Sequence, residues 1–290
     1  MAQTPEIMRR RLRVALREAR EAAGLTQRDA AQALESSVSK IIRIEQGAVA
    51  ITPIDLRALL ASYGVTDEAR VSELVDLARR SKNQSQSWAL YKEVYSRASL
   101  ALFESEAAAK TIYKFEPTFM PGLLQTEEYA TELLRALGRS DRDVELMVSA
   151  RLERQRLLAQ EARPELRFVL GEAIVCRQVG GREVMLSQLA RIKELGTRSG
   201  ISIQILPFSA GAYPKMGAGF TILEFPDETL GDLLYLEHAG GERIVRDDPQ
   251  VLADYHEAFA TIEAMATRPD DLAPLLDGIE AQRFRDRPDV

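Results

Sequence analysis

The sequence predicts an α + α/β chain: an N-terminal five-helix bundle, residues 1–82, and a C-terminal mixed α/β domain with a small sheet of about four strands, residues 83–290. In the first eighty residues, apolar side chains recur every three or four positions, which is the period of an amphipathic helix. Later segments alternate apolar and polar residues as strands do. The polar stretch 79–88 shows neither pattern and indicates a linker or a helix end.

The N-terminal helices are predicted from their periodicity and from the residues that begin or end them. Thr26 and Ser37 are suitable N-caps, Gly24 and Gly47 suit helix ends, and Pro53 suits a first helical position. The predicted ranges are 6–22, 27–34, 38–46, a fourth helix from 53 and a fifth from 66.

The second and third predicted helices, joined by a short turn, form a helix-turn-helix candidate. In that motif the second helix enters the major groove by its N-terminal end. The residues predicted to point outward there are Ser37, Val38, Ser39, Lys40 and Arg43. Short polar side chains suit base edges and cations suit phosphates, whereas Gln27 would face the duplex backbone.

These residues resemble the XRE helix-turn-helix family of phage-type repressors over about residues 10–65. The shared residues are GLTQ at 24–27, Ala30-Ala31, Leu34 and SVSKIIRIEQG at 37–47. The resemblance implies sequence-specific binding of a double-stranded DNA operator, and it also implies a buried ion pair between Arg20 and Glu45. The implied contact residues are Gln27, Ser37, Val38, Ser39, Lys40 and Arg43.

Two positions depart from the XRE pattern. Ile42 replaces a more usual polar residue, which favours packing of this face against something or a weaker grip on DNA. Glu35 stands in the turn where the family usually has Gly. A left-handed residue with a side chain costs on the order of 1 kcal/mol, which favours a rearranged turn. The alternative interpretation of the whole segment is a five-helix domain that makes only protein contacts.

The charge distribution separates the two parts of the chain. The total of 38 Lys+Arg against 44 Asp+Glu gives a net charge of −6, which taken alone argues against a nucleic-acid binder. Residues 1–82 hold 14 basic and 11 acidic residues, a local net charge of +3, and the remainder carries −9. The arginines at the start of the chain suit either phosphate contact or solubility. They are Arg9, Arg10, Arg11 and Arg13.

The C-terminal part is predicted to begin with helices and to continue with strands. Helical patterns cover 88–135, 141–162, 182–198, 249–266 and 270–282. Alternating patterns predict strands at 166–170, 201–206, 220–225 and 233–237. A helix between the first two strands indicates a βαβ unit.

Three C-terminal segments resemble a large actinobacterial regulator family, which joins an XRE helix-turn-helix to an uncharacterised C-terminal domain. The segments are PGLLQT at 121–126 with Tyr129, RLERQ at 151–155, and LPF at 206–208 with Gly211. The resemblance runs over most of residues 85–285. It implies an antitoxin-like bacterial regulator whose C-terminal domain receives a signal or a partner, often a small acidic protein encoded nearby.

Three arginines of the helix at 141–162 form a candidate partner or anion site. Arg151, Arg154 and Arg156 are predicted to lie on its exposed face, where guanidinium groups suit an anion or an acidic protein. The alternative, which we favour, is a solvated or salt-bridged helix face.

Catalytic, metal and cofactor sites are not predicted. Cys176, His238 and His256 are the only residues of their types, and no zinc spacing, phosphate-binding loop or nucleophile motif occurs. No apolar run approaches about 18 residues and the N-terminus lacks a signal pattern, so we expect a cytoplasmic protein that does not enter a membrane.

The sequence therefore predicts a sequence-specific DNA-binding transcriptional regulator without enzymatic activity. We expect a homodimer whose C-terminal domain responds to a partner protein or a ligand. The alternative function is an antitoxin-like interaction protein that mainly sequesters a small partner.

Overall fold

A computed structural model describes residues 4–47, 49–83, 88–238, 241–246 and 248–285. The chain divides into two compact units. One comprises Met1–Leu90 with Asp227–Leu230, and the other comprises Tyr91–Pro226 with Gly231–Val290. The predicted boundary at residue 82 falls near the end of a helix that runs to Asn83, and residues 84–87 lie outside the described residues.

The first unit is helical. Its helices are α1 (Pro5–Ala22), α2 (Gln27–Ala33), α3 (Val38–Glu45), α4 (Pro53–Ser62) and α5 (Glu68–Asn83). The side chains of Thr4, Thr26, Ser37 and Thr52 each accept a hydrogen bond from a backbone N–H in the first turn of the helix that follows. The apolar stripes of these helices meet in one core, where Leu16, Ala30, Ile41, Leu56 and Leu60 are almost completely buried.

The second unit is an α/β domain with seven α-helices and six strands within the described residues. Its helices are α6 (Arg97–Glu106), α7 (Glu127–Ala136), α8 (Asp141–Gln155), α9 (Glu172–Cys176), α10 (Gly181–Gly196), α11 (Pro249–Met265) and α12 (Leu272–Ile279). Its strands are β1 (Thr111–Glu116), β2 (Glu165–Gly171), β3 (Ile201–Leu206), β4 (Phe220–Glu224), β5 (Leu233–His238) and β6 (Gly241–Val245), with a short π-helical segment at Glu280–Arg285 after α12.

The strands form one mixed sheet in the order β3-β2-β1-β4-β5-β6. β1, β2 and β3 are parallel, β4 pairs antiparallel with β1, and β5 and β6 continue antiparallel. The described part of the chain thus has six strands, and the predicted count of about four is wrong. β1 was missed because its alternation spans only six residues inside a segment predicted as helical, and β6 because its sequence GERIV has little apolar alternation.

The two faces of the sheet differ in chemistry. On one face, Phe115, Phe220 and Ile222 pack with Phe259 and Ile262 of α11 in an apolar core. Residues on either side of Phe115 point to the opposite face, because successive side chains of a strand alternate. They bring Lys114 and Glu116 to that face, which is therefore polar near its centre although it is largely covered.

None of the described helices is long and apolar enough to cross a membrane.

Candidate DNA interface and an inner cavity

The helix-turn-helix is built from α2, a four-residue connection and the recognition helix α3. Ser37 caps α3, because its side-chain oxygen accepts a hydrogen bond from the Lys40 backbone N–H at 3.2 Å. Ile41 and Ile44 anchor the inner side of α3 and are 0% and 3% exposed. Ser37, Val38, Ser39 and Arg43 are exposed, so this part of the predicted contact set is accessible.

The other two predicted contact residues are held by carboxylates of the same unit. The Gln27 side-chain amide donates a hydrogen bond to Glu45 Oε2 at 2.8 Å, and Lys40 Nζ lies 3.2 Å from Asp55 Oδ2. Both side chains are only partly exposed. Their donors must therefore be shared with, or released from, these carboxylates before they contact DNA.

Arg20 and Glu45 join α1 to the end of the recognition helix. Arg20 Nε lies 2.7 Å from Glu45 Oε1, Arg20 Nη2 lies 3.2 Å from Oε2, and both side chains are less than a tenth exposed. Arg20 Nη1 also donates to the Leu25 carbonyl at 2.9 Å. The hydrogen bond and charge of Glu45 raise the pKa of Arg20 despite its burial. Burial, followed by the Glu45 charge, raises the pKa of the neighbouring Tyr63 to about 12.

The turn between α2 and α3 keeps a left-handed residue. Glu35 has φ 47°, and the Ser36 N–H donates to the Ala31 carbonyl at 2.9 Å, which closes the end of α2. The rearranged turn expected from the side chain at this position is therefore absent. The conformational cost of Glu35 is retained in the fold instead.

The N-terminal arginines are not equally available for phosphate. Arg10 is 2% exposed, and Arg9 lies 2.9 Å from Glu6. Arg13 Nη1 donates to the Gln46 carbonyl at 2.6 Å, at the C-terminal end of α3, where a cation is favourable. At least two of these cations thus have a structural role within α1 and against α3.

The second unit encloses a cavity of about 200 Å³ against the polar face of its sheet. β1, β4, β5 and β6 provide one wall, and α6, α8 and the segment 119–125 provide others. Apolar side chains make up much of the lining. They include Leu102, Phe103, Ile112, Phe119, Leu123, Leu133, Leu134, Met147 and Phe168.

Two of the segments singled out in the sequence meet at this cavity. Arg151 Nη1 donates to Gln125 Oε1 at 2.8 Å, and the Gln155 side-chain amide donates to the carbonyls of Gly122 and Gln125, both at 2.8 Å. A Cβ on Gly122 would lie 3.3 Å from Arg154 Nη1. Gly122 therefore allows the arginines of α8 to pack close beneath the loop, and PGLLQT and RLERQ form one structure.

The prediction that Arg151, Arg154 and Arg156 share an exposed helix face is wrong for the first two. Arg151 and Arg154 line the cavity, and only Arg156 is exposed. The helical period explains the arrangement, because Arg151 and Arg154 continue the buried stripe of Val144 and Met147. Their charge suggested exposure, whereas their spacing placed them inside.

Most charges in the cavity are satisfied by neighbours. Arg154 makes two hydrogen bonds to Glu106, at 2.6 and 3.0 Å, and its guanidinium lies 3.8 Å from the centre of the Phe103 ring. Burial alone lowers the pKa of Arg154, but the Glu106 carboxylate outweighs it and leaves that pKa raised. Lys114 lies 3.2 Å from Glu116. Glu242 accepts hydrogen bonds from the Ser96 and Ser99 hydroxyls.

Arg151 and Glu237 differ from these pairs. No carboxylate among the described residues lies within ion-pair distance of Arg151, which donates a hydrogen bond to the neutral side chain of Gln125. Burial lowers the pKa of the Arg151 guanidinium and the Arg154 charge adds to this decrease, while Tyr95 and the Glu237 charge oppose it. Glu237 receives no hydrogen bond from the part of the chain that the structure describes. Burial raises its pKa and the charges of Glu116 and Glu242 add to this increase, while Lys114 and Arg151 oppose it.

Sequence reasoning missed the acidic and basic residues that the sheet contributes here. Lys114, Glu116 and Glu237 lie on β1 and β5, and Glu106 lies at the end of α6. The available signal was the alternation of Tyr113 and Phe115 with charged residues in TIYKFE. A charged residue at every second position of a strand marks a polar face, but only the tertiary structure shows that this face is covered.

His256 and Cys176 lie outside this cavity's lining. His256 Nε2 lies 2.7 Å from Asp232 Oδ2, and its ring packs edge-on against Tyr113. Cys176 is partly buried at the end of α9, and burial raises the pKa of its thiol. The His238 side chain lies outside what the structure describes.

Comparison with known families covers both units. Residues 100–277 match a family model described as a domain of unknown function (DUF5753). The chain belongs to this family. Residues 11–74, which include α2 and α3, match a model described as a helix-turn-helix domain. The DUF5753 chain is thus a helix-turn-helix, DNA-binding regulator with an uncharacterised C-terminal domain. No curated protein and no solved structure matches it.

Proposed function

We propose that this DUF5753 protein is a sequence-specific transcriptional regulator of the XRE type that acts in the cytoplasm. The observation that carries the proposal is the exposed row on α3. Ser37, Val38, Ser39 and Arg43 stand above the buried Ile41 and Ile44, in the segment that matches the helix-turn-helix family. Short polar side chains and a guanidinium on the N-terminal part of a recognition helix suit base edges in a major groove.

The proposal includes dimeric binding and control through the C-terminal domain. A homodimer would place two recognition helices about 34 Å apart, one turn of DNA, on a two-fold related operator. The DUF5753 domain would have no enzymatic activity and would change DNA binding in response to a ligand or a partner protein. The resemblance of the chain to antitoxin-like actinobacterial regulators supports this division of roles.

The test is binding of the full chain to promoter fragments of its own locus, measured by fluorescence anisotropy. We expect affinity to fall steeply with salt, and Arg43→Ala to cost about 1–3 kcal/mol and to relax sequence preference. Arg80→Ala, which removes an exposed arginine of α5, serves as the matched control and should leave the preference unchanged. Binding that is independent of salt, or equal on all fragments and unaffected by Arg43→Ala, excludes the proposal.

A surface hollow between α7 and α8 favours a second candidate function, sequestration of a small protein partner. Val144 and Val148 lie at its base and Leu152 at its edge is 39% exposed. Its charged lining includes Arg135 and Arg156 as well as several carboxylates, so apolar contact rather than net charge supports this candidate.

Co-purification separates the two functions. A tagged chain expressed with the product of the neighbouring gene should retain that product in a stoichiometric complex if sequestration is the main role. Leu152→Asp should then release the partner, whereas Arg80→Ala should not. A complex that forms without any effect of Leu152→Asp rules out this hollow as the docking surface.

A further inference from the structure

We propose that the inner cavity of the DUF5753 domain binds a free α-amino acid with an apolar or aromatic side chain. The inference names a ligand class for the C-terminal domain. The binding of the amino acid is argued from the cavity alone. Only the role of that amino acid as an effector of DNA binding rests on the proposed regulatory function.

The first argument is the position of two groups of opposite charge type that line one cavity without forming an ion pair. Arg151 donates a hydrogen bond to the neutral side chain of Gln125, and its charge and that of Glu237 act on each other although no ion pair joins them. The other charged groups nearby are engaged, Arg154 with Glu106 and Lys114 with Glu116. A cation and a carboxyl group that line the same cavity without closing on each other leave room for a ligand that bridges them.

The second argument is electrical balance. A ligand with only a carboxylate would satisfy Arg151 and leave Glu237 without a partner, and a simple amine would do the reverse. A zwitterion satisfies both groups and adds no net charge to a site of low dielectric. The guanidinium fork of Arg151 matches a carboxylate in geometry, and the Glu237 oxygens can accept hydrogen bonds from an ammonium group.

The third argument is the support of Arg151. Arg151 Nη1 donates a hydrogen bond to Gln125 Oε1. The Gln125 side chain is fixed in turn, because its Nε2 donates to the Met120 carbonyl at 2.6 Å. Gln125 is 1% exposed. A guanidinium oriented by a buried neutral amide keeps its remaining donors for another acceptor, which is the arrangement expected of a pre-organised binding group.

The size and lining of the cavity select the side chain. Its volume of about 200 Å³ far exceeds the space for a single water. Phe119, Leu123, Leu134 and Phe168 supply apolar walls. Leu137 and Arg139, which also line it, are exposed and mark the side open to solvent. A small amino acid whose side chain packs on these walls fits both the polar and the apolar parts.

The test is calorimetric titration of the full chain with L-phenylalanine, L-tyrosine, L-tryptophan, L-leucine, L-isoleucine, L-methionine and L-valine in turn. At least one should bind with a Kd below about 1 mM. For the best binder, the analogue without the ammonium group and the analogue without the carboxylate should each bind about tenfold more weakly or worse. For phenylalanine these analogues are 3-phenylpropanoate and phenethylamine.

Two variants test the assignment of each group. Arg151→Gln should abolish the preference for the amino acid over the amine, and Glu237→Gln should abolish the preference over the carboxylic acid. Both variants should fold with a cooperative thermal transition, because each replaces a charged side chain by a neutral amide that can still form hydrogen bonds. Arg156→Gln changes an exposed arginine five residues beyond Arg151 and should bind as the parent does.

The outcomes are separable from those of the regulatory proposal. No binding of any of the seven amino acids up to about 10 mM overturns this inference, as does binding that neither Arg151→Gln nor Glu237→Gln weakens. Amino-acid binding by a chain that binds no promoter fragment leaves the site intact and refutes the regulator. DNA binding by a chain that binds no amino acid supports the regulator and refutes the amino-acid site.

Discussion

Lys40, at the start of the recognition helix, lies 3.2 Å from Asp55 in the first turn of α4. The residue expected to contact phosphate is thus neutralised within its own domain. Asp55→Asn should raise DNA affinity by up to about fivefold, since a partly exposed pair is worth up to about 1 kcal/mol and its loss frees Lys40. The slope of log affinity against log salt concentration should become steeper by about one unit, because one more cation contacts phosphate. Anisotropy titrations at several salt concentrations measure both effects.

The control for this prediction is Asp76→Asn, which removes an exposed acid paired with Arg79 on α5 and should leave DNA binding unchanged. The double variant Lys40→Gln, Asp55→Asn should show less gain than Asp55→Asn alone. Weaker binding by a folded Asp55→Asn protein would mean that Asp55 positions Lys40 for DNA rather than withholding it.

The pair of Arg20 and Glu45 predicts an asymmetric response to mutation. Glu45→Ala removes the carboxylate that pairs with the Arg20 guanidinium, which is less than a tenth exposed, and also removes the acceptor of Gln27. The free energy of unfolding should therefore fall by about 3–5 kcal/mol. Urea denaturation followed by circular dichroism measures the difference. Replacing both partners, as Arg20→Met with Glu45→Leu, should restore much of the loss, because no charge is then left buried.

An exposed pair of the same unit provides the comparison. Glu73→Ala removes the partner of Arg70 from a pair in which both side chains are about half exposed, and it should cost no more than about 1 kcal/mol. Equal losses for Glu45→Ala and Glu73→Ala would show that the pair on α3 contributes no more than a surface contact.

Glu35 carries a conformational cost that a single substitution can remove. Its φ of 47° is in the left-handed region, where a side chain costs about 1–2 kcal/mol, while glycine adds about 0.4–1 kcal/mol of unfolded-state entropy. Glu35→Gly should therefore stabilise the first unit by about 0.5–1 kcal/mol, measured by urea denaturation. Gln32→Gly, one turn earlier inside α2, should destabilise by a similar amount. If Glu35→Gly destabilises, the Glu35 side chain makes a favourable interaction that exceeds the backbone cost.

The helical unit was largely predictable because its signals are local. Ser37 begins α3 and Gly24 follows the end of α1, and these need only neighbouring residues to act. β1 was not predictable in the same way, since six alternating residues acquire strand structure only between β2 and β4, about fifty and one hundred residues later. Local periodicity cannot report such partners.

The cavity shows the same limit for function. The helical spacing of Arg151 and Arg154 places them on the buried side of α8, but their charge was taken as the stronger indication and predicted exposure. Arg154 forms an ion pair with Glu106, whereas Arg151 donates a hydrogen bond to the neutral Gln125. This difference depends on the packing of α6, α8 and a loop. The position of Glu237, near Lys114 and Arg151 but in an ion pair with neither, depends on the pairing of β5 with its neighbours. Pairing between distant segments, and not residue type, distinguishes the open charges from the satisfied ones.

Glu237 predicts a pH-dependent stability of defined sign. Burial raises the pKa of its carboxyl above the ordinary 4.5, Glu116 and Glu242 add to the increase, and Lys114 and Arg151 oppose it. The folded chain therefore holds this proton more tightly than the unfolded chain does. The resulting stability is fully present below about pH 4.5 and is lost as pH rises through the higher folded pKa.

Glu237→Gln keeps the side chain neutral at every pH, so its stability relative to the parent should increase as pH rises from about 4 to about 8. Urea denaturation of both proteins across this range gives the difference curve. In an Arg151→Gln background this increase in relative stability should extend to higher pH. The cation that opposes the raised pKa is then absent, so the Glu237 carboxyl keeps its proton up to a higher pH. A flat difference curve, or one that falls with pH, would show that Glu237 is ionised at little cost in the folded domain and is already compensated.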